Sequence, residues 1–256
     1  MPNRIDNIFG INPVLEKLKA SPADMLEILV AESSDRERLR SIIAAARRLG
    51  VSVSYLPARE LDRLSQGQRH QGVVARVAPY SYPSFDQLLE RISHALEAGW
   101  ILVLDGIIDP RNFGALLRTA EAVGVKHVVI PKDRSVDVTP VVVKASAGAT
   151  HHLHIYKVTN LRRSIQALKR WGYWTVGLDA KAPESVYDRV YPEKLAIVLG
   201  SEGKGVRPIN LRECDFVVSV PMLGKVNSLN VGIAGAVFLY ELLRQRRSVV
   251  PTGGGS

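Results

Sequence analysis

Apolar and polar residues alternate along the chain with two different periods, which predict strands and helices in turn. In the first third, "MLEILVA", "VSVSYL" and "GVVARV" are short apolar runs that suit strands. Helical periodicity marks "INPVLEKLKA" and "DRERLRSIIAAARRLG", the second with Asp35 as its N-cap and Gly50 as its stop. Residues 1–77 are therefore predicted to form a small α/β domain.

The segment "APYSYPSF" breaks this pattern and predicts a linker, which a connecting helix continues over 78–99. From residue 100 on, runs that are apolar throughout alternate with helical patterns, which is typical of a parallel sheet covered on both faces. We expect this domain to span 100–247, with a last helix from about Ser228 to Arg244 and a disordered tail over 248–256. The predicted strands are "WILVLDGI", "HVVIP", "HLHIYKV", "YWTVGLDA", "LAIVLG" and "DFVVSVPM".

The charge balance points to a polyanionic partner. The 256 residues include 34 Lys and Arg against 25 Asp and Glu, a formal net charge of +9. Such an excess favours nucleic acid through the release of counterions. Aromatic residues make up only 6% of the chain, so phosphate contacts and shape should contribute more to RNA binding than base stacking.

Nothing in the composition indicates a membrane or an oxidising compartment. No apolar stretch approaches the roughly 20 residues that span a bilayer, and "MPNRIDNIFG" lacks the apolar core of a signal peptide. The single cysteine, Cys214, excludes an internal disulfide and suits a reducing compartment. We expect a cytoplasmic protein with no membrane partner, in which Cys214 is a small buried residue.

Basic residues of the second helix, together with His70 in "RHQG", are the candidate RNA contacts of the front domain. A solvated helix face would explain the arginines equally well, and both interpretations stay open. The candidates are Arg36, Arg40, Arg47 and His70.

Polar residues follow three of the predicted strands, at the edge of a parallel sheet where ligands bind. In the first loop Asn112 lies near a helix start and Arg118 follows six residues later; an N-cap and an exposed charge would explain them too. The second loop, "LGSEGKGV", brings three glycines and Glu202 after an apolar strand. Its G-x-x-G-x-G order is neither a dinucleotide fingerprint nor a P-loop, and the glycines would let backbone approach a ligand closely.

The third loop, "LGKVNSLNVGIAGA", places Ser228 and Asn230 at the start of the last helix, where unpaired N–H groups attract ligands. Gly232 and Gly235 form a small face that suits close packing. Packing explains the glycines but not the polar residues. Three such loops together indicate one binding site.

The histidines of "HHLH" look like metal ligands at first sight. In a strand, His152 and His154 would share one face and His151 would point away. No nearby cysteine or acidic cluster completes a zinc shell, so we expect structural roles and no metal. No G-x-S-x-G sequence supports a hydrolase.

The three loops, in this order, resemble the signature motifs of the SpoU (TrmH) family of RNA 2'-O-ribose methyltransferases. "NFGALLRTAEAVG" is similar to the first motif, "IVLGSEGKGV" to the second and "VPMLGKVNSLNVGIAGAVFLYE" to the third. The front segment, from "IFGINPVLEKL" to "HQGVVARV", resembles the family's substrate-binding domain. This pairing is most similar to bacterial enzymes that methylate a guanosine ribose in large-subunit (23S) rRNA.

The resemblance implies an α/β fold of the SPOUT type, a parallel sheet with a C-terminal trefoil knot, preceded by a small α/β ribosomal-protein-like substrate-binding domain. The residues alone would not predict a knot, because knots are nearly absent among folds. The resemblance also implies S-adenosyl-L-methionine as cofactor, large-subunit rRNA as partner, and a homodimer with its sites near the subunit interface.

Site residues follow from the resemblance position by position, with cofactor loops at 177–179, 199–205 and 219–230. The positions that match the family's active site are Asn112, Arg118, Glu202, Ser228 and Asn230. The cofactor positions, which would bind chiefly through backbone, are Gly177, Leu178, Leu199, Gly200, Gly205, Val220, Met222, Ser228 and Leu229. Arg118 would also contact the RNA.

Two roles for Arg118 stay open. In the family its counterpart is assigned as the base that takes the hydroxyl proton, yet a guanidinium resists deprotonation. The alternative is a cation that orients an RNA phosphate and stabilises the developing alkoxide. Glu202 is the other motif residue that can take a proton, and the three remaining residues would fix the ribose, Arg118 and the loops.

Other functions also stay open at this point. A non-catalytic RNA-binding or ribosome-assembly protein would share the charge, although the complete motif set favours an enzyme. A Rossmann-type enzyme would need an early G-x-G loop, whereas the Gly-rich loop here comes late. Methylation of another rRNA or tRNA nucleotide, or of a base, would use similar motifs; "NSLN" favours ribose through resemblance.

Overall fold

The computed structural model describes residues 5–34, 36–93, 99–225 and 228–249. Its strands are β1 (Asp6–Phe9), β2 (Met25–Ala31), β3 (Val53–Leu56), β4 (Val73–Val77), β5 (Ile101–Asp105), β6 (His127–Pro131), β7 (His154–Val158), β8 (Trp174–Leu178), β9 (Glu184–Ser185), β10 (Leu195–Gly200) and β11 (Phe216–Ser219). Its helices are α1 (Ile11–Ala20), α2 (Arg36–Arg48), α3 (Ala58–Leu64), α4 (Phe85–Ser93), α5 (Pro110–Ala122), α6 (Pro140–Ala145), α7 (Leu161–Arg170), α8 (Pro208–Leu211) and α9 (Val231–Val249).

The contacts divide the chain into two compact units. One runs to Ser81 and also contains Asp137–His152; the other contains Tyr82–Val136 and the chain from Leu153 onward. The domain boundaries expected from the sequence stay a prediction. By contacts, Asp137–His152, which lies between β6 and β7 in the chain, belongs with the front unit, because α6 packs on β1 and the turn after it packs on α1.

The front unit contains a four-stranded sheet in the order β1-β4-β2-β3. Strands β1 and β2 both pair antiparallel with β4, and β3 pairs parallel with β2. Helix α3 covers the sheet through Leu61, which packs with Phe9 and Leu29, while α2 buries Leu39 and Ile42. Helix α2 stops where predicted, since Gly50 adopts a φ of 71°. Its expected N-cap at residue 35 lies outside the described residues.

The second unit contains a seven-stranded sheet in the order β7-β6-β5-β10-β8-β11-β9, and every neighbouring pair is parallel. The parallel α/β sheet predicted from the apolar runs is therefore confirmed. Strands β5, β6 and β10 are buried along their whole length. All strands of a parallel sheet end at the same edge. The three polar loops, which follow β5, β10 and β11, therefore lie at that edge.

Several short elements are not predicted by the sequence pattern, namely β1, α3, β9 and α8. Elements of two to seven residues leave too few positions for a period to be read. The predicted ends of the last helix are also wrong. The helix runs from Val231 to Val249, so it begins later and ends later than predicted, and its last two residues had been assigned to the tail. The rest of that tail, 250–256, lies outside the described residues.

The strand interpretation of "HHLH" is wrong for two of the three histidines. After α6, Ala147 and Gly148 adopt φ values of 53° and 91°, and the chain turns into a short 3-10 segment that ends at His151. Strand β7 therefore begins only at His154. His152 instead bonds through Nε2 to Oε2 of Glu16 at 2.8 Å.

The trefoil knot that the resemblance implies stays a prediction. None of the helices among the described residues combines the length and the apolar composition that a membrane span requires.

Candidate active site

Side chains from the three polar loops form one hydrogen-bonded cluster in the second unit. Nδ2 of Asn112 donates to Oε2 of Glu202 at 3.0 Å, and Nδ2 of Asn230 donates to Oδ1 of Asn112 at 3.0 Å. Nδ2 of Asn230 also lies 3.4 Å from Oε1 of Glu202. The contacts close a triangle, so each side chain fixes the orientation of the other two.

Asn112 takes part in this cluster because another residue caps its helix. Oδ1 of Asp109 accepts the N–H of Arg111 at 2.8 Å, and Pro110 occupies the first helical position. The interpretation of Asn112 as an N-cap is therefore wrong. Its amide is left to bind Glu202 and Asn230.

Asn230 both caps α9 and joins the cluster. Its Oδ1 accepts the N–H groups of Gly232 at 2.9 Å and Ile233 at 3.4 Å, which satisfies donors of the first helical turn. Its Nδ2 makes the two cluster contacts. An amide side chain has both the acceptor and the donors that these two tasks need.

Glu202 is carried by a loop, residues 200–207, that closes on itself. Backbone hydrogen bonds of 3.1 and 2.9 Å join Ser201 to Gly205 in both directions. A Cβ on Gly200 would lie 1.8 Å from the carbonyl carbon of Gly205. Closure of the loop therefore requires glycine at position 200, whatever ligand the loop binds.

The buried carboxylate of Asp105 anchors the far end of this loop. Asp105 ends β5 and pairs in register with Gly200. Its Oδ2 accepts the backbone N–H of Arg207 at 2.9 Å and Nδ2 of Asn210 at 2.8 Å, and its Oδ1 accepts Nε of Arg207 at 2.7 Å. Asp105 is not among the residues predicted for the site, although its place as the acid that ends the apolar run "WILVLD" is a signal in the sequence.

A cavity of about 700 Å³ lies at the C-terminal ends of β8, β10 and β11, with Glu202 in its wall. This volume suits a small-molecule ligand. The predicted cofactor positions in the wall are Leu178, Leu199, Gly200, Gly205, Val220, Met222, Ser228 and Leu229. Four further polar wall residues, Asp179, Ser201, Lys204 and Ser219, lie within the predicted cofactor loops, whereas the charged wall residue Lys181 lies outside them and was not predicted.

Gly177 is the one predicted cofactor position outside the cavity wall. A Cβ there would lie 2.6 Å from Cδ1 of Leu211 and 3.1 Å from Sγ of Cys214, so glycine is needed for packing against α8. Burial raises the pKa of the Cys214 thiol to about 12. Cys214 is therefore a packing residue in its thiol form, beside the apolar core.

Two predicted active-site residues stay outside the triangle. Ser228 is exposed in the cavity wall and has no hydrogen bond to another described residue. Arg118 is exposed on α5, outside the cavity wall, and within the described ranges nothing pairs with its guanidinium. Its guanidinium is therefore accessible to solvent.

The candidate RNA residues of the front unit differ in their surroundings. Arg47 is exposed, and Arg40 is exposed with Nη1 3.3 Å from Oε1 of Glu37. The ring of His70 is mostly buried: Nδ1 accepts the N–H of Gly72 at 3.1 Å, and Nε2 lies 3.1 Å from Oδ1 of Asp62. His70 therefore holds the loop before β4 together. The side chain of Arg36 lies outside the described residues.

No three His, Cys, Asp or Glu side chains in the described ranges are grouped so that they could hold a metal ion.

Comparison with known proteins adds two family matches and several relatives. Residues 99–240 match the model of the SpoU rRNA methylase family, and residues 7–83 match the model for RNA 2'-O ribose methyltransferase substrate binding.

Full-length relatives share both parts. The chain is 40% identical to the TrmH-family protein YacO of Bacillus subtilis, with 97% of this chain and 99% of the relative covered. It is also 40% identical to the 23S rRNA (guanosine-2'-O-)-methyltransferase RlmB of Coxiella burnetii, over 98% and 100% of the two chains. Among solved structures, the SpoU methyltransferase AviRb of Streptomyces viridochromogenes, in complex with AdoMet, superimposes with a TM-score of 0.77. It shares 24% identity and covers 94% of this chain and 90% of its own, which shows the common fold.

Proposed function

This chain belongs to the SpoU rRNA methylase family, and on that premise we propose that it methylates the ribose 2'-hydroxyl of a guanosine in 23S rRNA. The observation that carries this proposal is the triangle of Asn112, Glu202 and Asn230 beside the cavity. It joins the three motif loops at one point. A non-catalytic RNA-binding protein would have no need of such a cluster.

The cavity fits S-adenosyl-L-methionine as the methyl donor. Leu178, Leu199 and Leu229 give it apolar walls that suit an adenosine, while Asp179 and Glu202 bring carboxylates that suit hydroxyl groups and a sulfonium charge. When bound, the cofactor supplies a methyl group that is already activated. The protein then has to position the ribose and remove its proton.

Positioning is the task of the triangle. Because Asn112 and Asn230 both donate to Glu202, its carboxylate is held in place and keeps lone pairs for a further donor. A ribose hydroxyl placed there would give its proton to a preorganised acceptor. In this proposal Glu202 takes or relays the proton.

Arg118 acts in this proposal as a cation rather than as the base. A guanidinium resists deprotonation, and an RNA phosphate beside it would favour its charged form further. The fork of N–H donors suits binding of a phosphate and stabilisation of the developing alkoxide. The exposure of Arg118, which has no partner among the described residues, supports a contact with RNA.

The active protein in this proposal is a homodimer in the cytoplasm. Ile233 and Tyr240, seven residues apart on α9, are 56% and 54% exposed and share one face. An apolar face of this kind, beside the small residues of the same helix, supports association with a second copy. The exposed Arg40 and Arg47 of α2 support RNA binding by the front unit.

One experiment tests reaction and target together. The protein is incubated with labelled S-adenosylmethionine and 23S rRNA from cells that lack the corresponding enzyme, and the product is digested with alkali. A 2'-O-methyl group blocks alkaline cleavage, so we expect one protected guanosine, which Arg118→Ala should abolish.

The other outcomes each contradict part of the proposal. Label in the RNA without alkaline protection would mean methylation of a base. Label in tRNA and not in 23S rRNA would move the target. Absence of transfer to either RNA would favour the non-catalytic RNA-binding protein.

A further inference from the structure

A second hollow, of about 520 Å³, lies in the second unit and shares no residue with the cavity or the triangle. It opens beyond the C-terminal ends of β6 and β7. Its walls are formed by Pro131, Asp133, Arg134, Thr159 and Arg207. The family motifs assign no role to any of these residues.

The walls of the hollow and Lys132, which adjoins them in the chain but is not a wall residue, together carry one more positive charge than Asp105 and Asp133 offset. Lys132 and Arg134 are exposed, and neither has a carboxylate within ion-pair distance among the described residues. Asp133 is the acid beside them, and Asp105 offsets the charge of Arg207. The walls contain donors and no aromatic ring, which suits a phosphate rather than a stacked base.

Arg207 is oriented before any ligand arrives. Its Nε and Nη2 both lie 2.7 Å from Oδ1 of the buried Asp105, while its side chain stays 47% exposed. Those two contacts leave three of the five N–H donors of a guanidinium for a ligand. Because Asp105 already fixes the side chain, binding costs little further conformational entropy.

The hollow also lies at the edge of the sheet where methylation would occur. β6 neighbours β5, and β5 leads into the helix that carries Asn112. With strands spaced about 5 Å apart, the ends of β6 and β7 lie roughly 5 to 10 Å from the end of β5. An RNA strand with its ribose at the triangle would reach the hollow within a few nucleotides.

We propose that Arg134 and Arg207 bind one phosphodiester of the substrate RNA beside the methylated nucleotide, with the hydroxyl of Thr159 as a further donor. This subsite rests on the proposed function for the identity of the RNA. Arg207 contributes a guanidinium that Asp105 already holds in place, and Arg134 contributes a positive charge that no described carboxylate pairs with.

The test compares Arg134→Gln with Arg170→Gln in binding to a 23S rRNA fragment that the wild-type protein methylates. Arg170 is an exposed arginine at the last position of α7, at the opposite edge of the sheet, and serves as the matched control. We expect Arg134→Gln to raise the Kd for RNA about five- to tenfold. The slope of log K against log salt should fall by about 0.7, the loss of one phosphate contact.

Three further measurements separate the subsite from other effects. Affinity for S-adenosylmethionine and the melting temperature should not change in Arg134→Gln, and Arg134→Lys should recover most of the RNA affinity. Ethylation of one phosphate within a few nucleotides of the methylated guanosine should weaken binding to wild type more than binding to Arg134→Gln, in which Arg207 alone supplies a cation to that phosphate.

The subsite is overturned if Arg134→Gln and Arg170→Gln bind RNA with the same Kd and salt slope. That result would leave methylation by the wild type intact. A wild-type protein that neither binds nor methylates the fragment would instead overturn the proposed function, and the subsite with it.

Discussion

Asn112 and Asn230 lie 118 residues apart in the chain and are joined by a hydrogen bond of 3.0 Å. The bond ties the first turn of α5 to the first residue before α9. Glu202 accepts from both amides and completes the link to the loop after β10. Since each partner comes from a different motif, loss of one side chain should disturb all three.

Asn230→Asp should separate the capping role of Asn230 from its role in the site. Aspartate keeps the acceptor for the N–H groups of α9 but has no donor for Asn112, and it places a second carboxylate beside Glu202. We expect stability within about 0.5 kcal/mol of wild type and methyl transfer reduced about 10- to 100-fold. Asn230→Ala should lose about 1 kcal/mol in urea unfolding as well. Wild-type activity in the aspartate variant would contradict the role of the triangle.

Gly200→Ala should weaken cofactor binding. The added methyl group would collide with the backbone of Gly205, so the loop that lines the cavity cannot close. We expect calorimetry to show the Kd for S-adenosylmethionine raised about tenfold or more. Gly99→Ala is the control, because a Cβ at Gly99 meets no atom of the described residues within 4 Å. Equal affinities in the two variants would show that closure is not needed.

Asp105→Asn should destabilise the second unit. The change removes the charge that Arg207 and Asn210 share inside the fold. Because Arg207 is half exposed, we expect a loss of about 1 to 3 kcal/mol in the free energy of unfolding. Asp133→Asn removes an equal charge from an exposed side chain and should change stability by less than about 0.5 kcal/mol. Similar losses in both variants would argue against an anchoring role.

His151 should make the stability of the protein depend on pH. Burial, and to a smaller extent Lys17, lowers the pKa of His151 to about 3, and its Nε2 has no hydrogen-bond partner in the described residues. As the pH falls below about 6.5, the unfolded chain takes up this proton and the folded chain does not. Stability present above pH 6.5 is therefore lost towards pH 3.

The comparison with His151→Gln measures this effect. Between pH 7 and pH 5, wild type should lose about 1 to 2 kcal/mol more unfolding free energy than the variant. The pair between His152 and Glu16 is present in both proteins and cancels. Parallel losses would mean that His151 takes up a proton in the folded state.

Arg118→Lys tests whether the guanidinium fork or only its charge is needed. Lysine keeps the charge but cannot bind a phosphate with two parallel hydrogen bonds, so we expect activity to fall about tenfold or more. Cofactor affinity should stay the same, because Arg118 is outside the cavity wall. If Arg118→Lys kept most of the activity, the geometry of the guanidinium would not be needed, and the charge at position 118 would suffice.

The sheet of the second unit could be predicted from the sequence because its strands are buried on both faces and appear as continuous apolar runs. The sequence could not predict which unit would contain α6. A helical pattern over 140–145 reports local structure, whereas its packing on β1 depends on residues more than a hundred positions away.

The candidate site was predicted by resemblance, and its geometry was not. Motif matching named Gly177 and Leu178 together, but successive residues of a strand point to opposite faces, and only Leu178 lines the cavity. Likewise, the sequence alone allowed Asn112 to be the N-cap of α5, whereas in the structure Asp109 occupies that position. Which of two polar side chains caps a helix depends on backbone angles that spacing does not reveal.

The return of Asp137–His152 to the front unit means that the chain passes between the two units three times, after Ser81, Val136 and His152. Truncation at Ser81 would therefore not yield two autonomous fragments. The shorter piece would lack α6, and the longer piece would expose Val142 and Val143, which are buried in the intact protein. The two units are interleaved along the polypeptide. A protein designed to contain only the front unit should therefore include Asp137–His152 as well as the chain up to Ser81.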